Sequence, residues 1–483
     1  MKKGIALLLS IVMVCSMIAG CGSGSGETKA QDTKAPAATS ADTKSADTKG
    51  TDAPAQETQA PAANPVELNV VSTYAGNDSN AQNFADAVKA WEDSTGNTVV
   101  DGSQTSNEEF KAQVANDFQT GSEPDVLFYF TGADANSFID GGKVMSLDEI
   151  RAEYPEYGAN MDDAKIPSAS NGKKYALPVN GIWESLFINT RVLEEAGVEV
   201  PGADYTWDQF LADCEKIKAA GKIPVAVALG EVPHYWFEYT IFNYNGLSNH
   251  LTLPTSADDE IGQNWVKGIE DIKTLYEKGY FPDNTNSATD PETLELFYHD
   301  EAAFLIDGNW RIGGIVQSCQ SDADDASTLD TEELEKFAVA YVPAKENRKA
   351  TDMIGGCTAG YYITKKAWDD PEKRAAAVNF VEFMTNDDNV MKFSGVGSHA
   401  LKNAPEVDMS QFNSLEVKAI NMVKGATGFV GAVQDSISTP CRVPLFDGMP
   451  KLVTGDADIK TAVQECVDLM AEEAAAGGET QAE

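Results

Sequence analysis

The sequence predicts an α/β fold divided between two lobes, and two observations predict it. Once a low-complexity leader region is set aside, roughly 420 of the 483 residues remain, more than one hydrophobic core normally serves. Along that length short runs rich in Val, Ile, Phe and Ala alternate with longer amphipathic stretches, the pattern of strands joined by helices.

The elements follow in order. Residues 66–73 alternate apolar and polar side chains as a strand does, 81–94 carry a helical stripe, 98–101 form a second strand, 108–119 a second helix, and 125–130 a nearly continuous apolar third strand. Such alternation predicts a largely parallel sheet covered on both faces. Ligands of open α/β sheets sit beyond the carboxyl ends of the strands, here residues 72–78 and 129–134. A second block begins with a short strand at 174–178, a polar and aromatic break, a strand at 184–189 and a helix. Thr206-Trp207-Asp208-Gln209 is a capping box opening a helix to Ala219. Strands are expected at 223–229, 302–306, 337–342 and 360–364, with helices at 258–278, 309–317, 371–384, 415–424, 445–453 and 458–473.

The leader has its own logic. Lys2 and Lys3, an apolar run over 5–17 and then small residues have the layout of a secretory signal (1–20). Ile18-Ala19-Gly20-Cys21 resembles a bacterial lipobox, which implies cleavage before Cys21 and acylation of its thiol. Residues 21–65 are built of Ala, Thr, Lys, Asp, Gln, Ser, Gly and Pro, with Asp-Thr-Lys recurring at Asp32, Asp42 and Asp47. Nothing there can build a core, so a disordered tether is expected.

The formal net charge is −40, which repels nucleic acid and anionic membranes and argues against a role in holding either. Five cysteines remain after the leader and Cys21: Cys214, Cys319, Cys357, Cys441 and Cys466. An odd number without a C-x-x-C indicates neither a disulfide framework nor a zinc site, although one bridge stays open. Four His residues without an H-E-x-x-H suggest no metal ligation, and no cofactor is expected.

Residues 174–197, K-Y-A-L-P-V-N-G-I-W-E-S-L-F-I-N-T-R-V-L-E-E-A-G, followed by Thr206-Trp207-Asp208, closely resemble the signature segment of the family 1 extracellular solute-binding proteins of ABC importers. Ile188 stands where that pattern has Tyr. Further segments resemble the same family: Glu123-Pro124-Asp125-Val126, the small-apolar strand ending in Gly308-Asn309-Trp310, and the Gly-rich strand Gly360-Tyr361-Tyr362-Ile363-Thr364. The resemblance covers about residues 66–476. It implies a two-lobed, periplasmic-binding-protein-like fold of type II with discontinuous lobes and three hinge crossings, near Asn180, Pro343 and Phe393. On that reading residues 66–180 and 344–393 form the N-terminal lobe, residues 181–343 and 394–476 the C-terminal lobe, and 477–483 a disordered tail.

A bilobed binder closes two lobes on its ligand. Flat aromatic faces suit the C–H patches of a pyranose, and carboxylates, amides and Arg suit its hydroxyls. The aromatic candidates are Trp310, where the resemblance places a ligand-stacking ring, with Trp183, Tyr235, Trp236, Tyr74 and Tyr129. The polar candidates are Asp134, Glu184, Asn180 and Arg311. A Trp in a large protein is most often core, so position has to decide. Trp91, Trp207, Trp265 and Trp368 sit in helical patterns and read as packing residues, and strand alternation sends Tyr361 and Tyr362 to opposite faces. The resemblance implies a monomeric, lipid-anchored, extracellular binder that carries a sugar or short oligosaccharide to membrane permease subunits and performs no chemistry on it. A binder of a non-sugar solute (polyamine, peptide or metal complex) and a surface hydrolase are the rival readings. Neither a G-x-S-x-G elbow nor a zinc-protease motif is present for the hydrolase.

Overall fold

Side-chain alternation along Glu67–Val71 (β1) puts Leu68 and Val70 inside and Glu67 and Asn69 outside. That strand is the centre of the first sheet in the computed structural model, which describes residues 65–480 apart from Asn77, Asn107 and Asp324. The expected signal, Cys21 and the tether up to residue 64 lie outside the described residues. Parallel pairing joins β1 to β2 (Thr98–Asp101) and to β3 (Val126–Phe130).

The second sheet is built on β4 (Ile182–Asn189), with β5 (Ile223–Val225), β6 (Ala302–Gly308), β7 (Phe337–Ala340), β8 (Asp352–Gly356) and β10 (Gly428–Val430). The order is β10-β8-β4-β6-β5, with β7 also on β4; the first sheet runs β2-β1-β3-β9, where β9 is Ala359–Ile363. Both sheets are mixed, not largely parallel: β9 runs antiparallel to β3, and β6, β7 and β8 all run antiparallel to β4. Chain passages that return from the other lobe enter from the far end, and so reverse direction.

Each sheet separates two cores. Phe128 and Tyr361 face the helices Ala81–Thr95 and Pro371–Met384, whereas Leu127, Tyr129 and Tyr362 face the helix Glu108–Thr120. In the second sheet Leu186 and Ile188 pack beneath the helices Trp207–Ala219, His234–Asn249 and Glu260–Glu277, while Trp183 and Phe187 point to the opposite face. Ile188, fully buried, therefore occupies a position where an apolar side chain is what packing requires. Trp91, Trp207, Trp265 and Trp368 are all buried.

Three passages connect the sheets and run side by side. Leu177 pairs with Tyr361, Ile182 pairs with Gly356, and the Gly181 N–H donates to the Ser398 carbonyl at 2.6 Å. Two expected boundaries are corrected. β8 belongs to the second sheet, so the middle passage lies between Gly356 and Ala359 and not at Pro343. Phe393 does lie in the first core, but Ala400 and Leu401 lie there too, and the Asp162 N–H donates to the Ala400 carbonyl at 2.7 Å; residues 400–401 thus stay with the first lobe. The strand expected at 223–229 stops at Val225, because the Thr285 hydroxyl takes over, donating to the Val227 carbonyl and accepting from the Leu229 N–H. Residues 174–178 contribute one pairing, at Leu177, and no strand. The last helix, Ile459–Thr480, continues through part of the expected tail; the run Glu472-Glu473-Ala474-Ala475-Ala476 is strongly helix-forming.

Candidate ligand-binding site

β4 and β6 are antiparallel neighbours with Glu184 opposite Gly308, which brings Glu184 and Asp307 to the same end of the second sheet. β6 ends there, and Asn309 and Trp310 lead into the helix Arg311–Ser318. Asn309 fixes this exit through its backbone N–H to the Trp183 carbonyl and its Oδ1 to the Trp183 N–H, both at 3.0 Å. The Trp310 ring lies back across Gly308: a Cβ added there would fall 2.2 Å from ring carbons, so only glycine leaves room. Tyr235, in the first turn of the helix His234–Asn249, places its ring centroid 6.2 Å from that of Trp310, tilted by 36°. Both rings are half-buried.

Around this pair the charges are unevenly matched. Arg311 donates from Nε to Asp307 Oδ2 at 2.6 Å and from Nη2 to Asp290 Oδ2 at 3.0 Å. Burial and the adjacent Asp307 push Asp290 up to about 6. Glu184 is 2 % exposed, and burial, then Glu238, Asp435 and Asp307, push its carboxyl well above the usual range. Glu238, fully buried, accepts the N–H groups of Val433 and Gln434 at 2.9 and 2.8 Å and lies 2.9 Å from His250 Nε2. It therefore anchors the turn Val433–Ser436 that presents Asp435. Burial, then Glu238, raise Asp435 to about 7.

That turn is where the lobes touch. A Cβ on Gly132, at the end of the first sheet, would fall 2.0 Å from the Asp435 carbonyl oxygen. Two residues on, Asp134 accepts the Thr439 N–H and hydroxyl at 3.2 and 3.1 Å and Arg442 Nη2 at 3.3 Å, with Lys111 Nζ 3.5 Å away. On the other side of the seam, a Cβ on Gly313 would lie 3.3 Å from Ser79 Cβ. The two lobes are closed on one another, with Tyr235, Trp310, Glu184 and Asp435 at the seam.

The structure thus brings together Trp310, Tyr235, Glu184 and Arg311, while Asp134 reaches from the first lobe to Thr439 and Arg442 of the second. It places four other candidates in cores. Trp183 is fully buried, donates its indole N–H to the Val396 carbonyl at 2.8 Å and stacks 6.0 Å from Phe187; one residue before Glu184 on a strand, it points to the opposite face. Trp236, 1 % exposed, is turned about 100° around its helix from Tyr235 and packs on Phe210 and Phe281. Tyr129 is buried with Phe110 and Phe138. Tyr74 stacks on Phe128 at 4.6 Å, and its hydroxyl donates to Asn180 Oδ1 at 2.8 Å, so these two tie the first lobe to the first passage. Sequence reasoning missed Glu238, Asp290, Asp307 and Asp435. Glu238 was findable, three positions beyond Tyr235 on one helix face; Asp435 lies in a turn without periodicity.

The raised carboxyls predict a pH dependence. Asp435 (about 7), Asp290 and Asp78 (each about 6, the last from burial) bind protons more tightly folded than unfolded. Between about pH 4 and 7 the folded state holds more protons, so stability falls as pH rises through that window and levels off above it. Thermal melts of the ligand-free protein should give a Tm several degrees higher near pH 5 than near pH 8. Asp435→Asn should flatten part of the slope; an unchanged slope would exclude Asp435 as its source.

Two α/β lobes closed over a seam of aromatic and charged side chains define a ligand-binding protein of the bilobed class. The profile of the family described as bacterial extracellular solute-binding protein matches residues 74–391, and the chain belongs to that family, one of binding proteins and not enzymes. It is 22% identical over 269 residues to the melibiose/raffinose/stachyose-binding protein MelE of Bacillus subtilis, covering 50% of this chain and 57% of that one. It is 24% identical over 158 residues to the multiple sugar-binding protein of Streptococcus mutans, covering 30% and 36%. A binding protein of Brucella abortus is 40% identical over 135 residues, 23% of this chain and 32% of that one. The chain thus spans between a third and just over half of the length of these relatives. Among solved structures, a chitin oligosaccharide binding protein superposes with a TM-score of 0.68 at 19% identity, covering 84% of this chain and 98% of that one. A protein from the xylan utilization system of Caldanaerobius polysaccharolyticus gives 0.68 at 17%, covering 83% and 99%. These likenesses establish the fold. Among the described residues no helix is long and apolar enough to cross a membrane.

Proposed function

We propose that this chain is the substrate-binding component of an ABC importer and takes a sugar or short oligosaccharide between its lobes. The observation that carries this reading is the half-buried Trp310–Tyr235 pair at the closed seam, set among hydrogen-bonding carboxylates and Arg311. Aromatic faces take up the apolar faces of pyranose rings, and the surrounding groups take up hydroxyls. Relatives named for melibiose, raffinose, stachyose and multiple sugars support it. Ligand contacts from both lobes favour the closed state over the open one, and a permease reads that difference. Acylation of Cys21 would hold the binder at the outer face of the membrane on its tether, stably so with more than one acyl chain. A thermal-shift screen over mono- and oligosaccharides, polyamines and peptides tests the ligand class, since a ligand that binds only the folded state at about a hundred times its Kd adds ~2.7 kcal/mol. A saccharide should raise Tm by several degrees. A shift confined to polyamines or peptides would overturn the saccharide reading.

A further inference from the structure

The carboxylates at the seam are not equally provided for. Asp307 and Asp290 share Arg311, Asp134 has Arg442, Thr439 and Lys111, and Glu238 has two backbone N–H groups and His250. Glu184 and Asp435 have no such partner: among the described residues neither carboxylate accepts a hydrogen bond, and Glu184 Oε2 is buried without one. Lys111 and Arg442 act on Asp435 from a distance but contact Asp134. An unpartnered buried carboxylate is costly, and Glu184 is one, beside Tyr235; half-buried Asp435 lies within electrostatic reach of it.

We propose that the saccharide bound here carries a protonated amine, whose ammonium is held by Glu184 from the second sheet and Asp435 from the turn that meets the other lobe. Sugar hydroxyls alone would satisfy the hydrogen bonding and leave the charge excess in place; an ammonium satisfies both. A cation over aromatic faces gains further attraction. The position of Asp435 makes the contact sensitive to closure, because its turn lies against Gly132. This inference rests on the saccharide reading, and its test separates the two.

The purified protein is titrated calorimetrically, in about 0.15 M salt to screen the acidic surface, with three β-1,4-linked oligosaccharide series of equal length. One carries a free amine on each residue, one an N-acetyl group, and one a hydroxyl. A charge-assisted pair should give the amino series a preference of about 10- to 100-fold. Glu184→Gln and Asp435→Asn should each cut that preference to less than about threefold. Glu184→Gln should also leave the ligand-free Tm unchanged or higher, since it removes a buried carboxyl with no partner. Neutral series that bind as tightly as the amino series overturn the amine inference and leave the saccharide reading standing. A preference that survives both substitutions also overturns it, because the attraction then belongs to the acidic surface at large. If no series binds, the amine inference falls, and the saccharide reading is decided by the wider thermal-shift screen.

Discussion

Arg348→Ala is expected to cost about 3–5 kcal/mol of stability, the range for removing one member of a buried, hydrogen-bonded charged network. Arg348 is 4 % exposed. Its Nη2 donates to the carbonyls of Val342 and Pro343 at 2.9 and 2.7 Å, Nη1 to that of Asp352 at 3.1 Å, and Nε to Asn243 Oδ1 at 2.9 Å. The guanidinium also lies 5.1 Å from the centre of the Tyr239 ring and 5.4 Å from that of Phe242. Burial lowers its pKa to about 10, so the charge survives at neutral pH and the cost of burying it is met by this set of acceptors. Truncation would leave buried carbonyls unpaired and a cavity beside two aromatic rings. Lys should not rescue, because a single ammonium cannot serve a planar fork of acceptors. Urea unfolding should show a lower midpoint with an unchanged slope; a loss below about 1 kcal/mol would refute the assignment. Arg348 pins the turn after Pro343, which explains why the chain stays with the second sheet until Gly356.

That residue also shows what the sequence conceals. In Lys345-Glu346-Asn347-Arg348-Lys349 the Arg looks like one charge of a solvated loop, and nothing local reveals that the loop folds its carbonyls inward around it. The order of strands and helices was legible because periodicity is local, and the family was legible because its motifs keep their order. Which lobe a short strand joins was not: Asp352-Met353-Ile354-Gly355-Gly356 is compatible with either sheet, and only its pairing with Trp183 and Phe429 decides. For the site, one residue of register mattered most. Trp183 and Glu184 are adjacent in sequence and face opposite sides of one sheet, as Tyr235 and Trp236 differ by one step around a helix. Sequence reasoning identified each neighbourhood but could not choose the member that faces the seam. Asp435 was beyond reach, since a turn of four residues has no period and is held by Glu238, almost two hundred residues away in sequence.

Trp310→Ala is expected to weaken saccharide binding by about 10- to 100-fold, the loss of roughly 1.5–3 kcal/mol of aromatic contact area. The half-buried indole packs on one side over Gly308 and lies beside Tyr235, leaving its remaining surface at the seam between the lobes. Because the ring rests on the end of β6 and belongs to none of the main core clusters, its removal should lower ligand-free stability by no more than about 1 kcal/mol. Trp236→Ala provides the contrast. Trp236 is 1 % exposed within the core of the second lobe, so its truncation should cost about 3–5 kcal/mol of stability while the remaining folded protein keeps its affinity. Calorimetric titration paired with denaturant unfolding on both variants separates the two roles. Unchanged affinity in Trp310→Ala would remove this ring from the site. A Phe replacement that restores most of the binding would show that the flat apolar face, not the indole N–H, makes the contact.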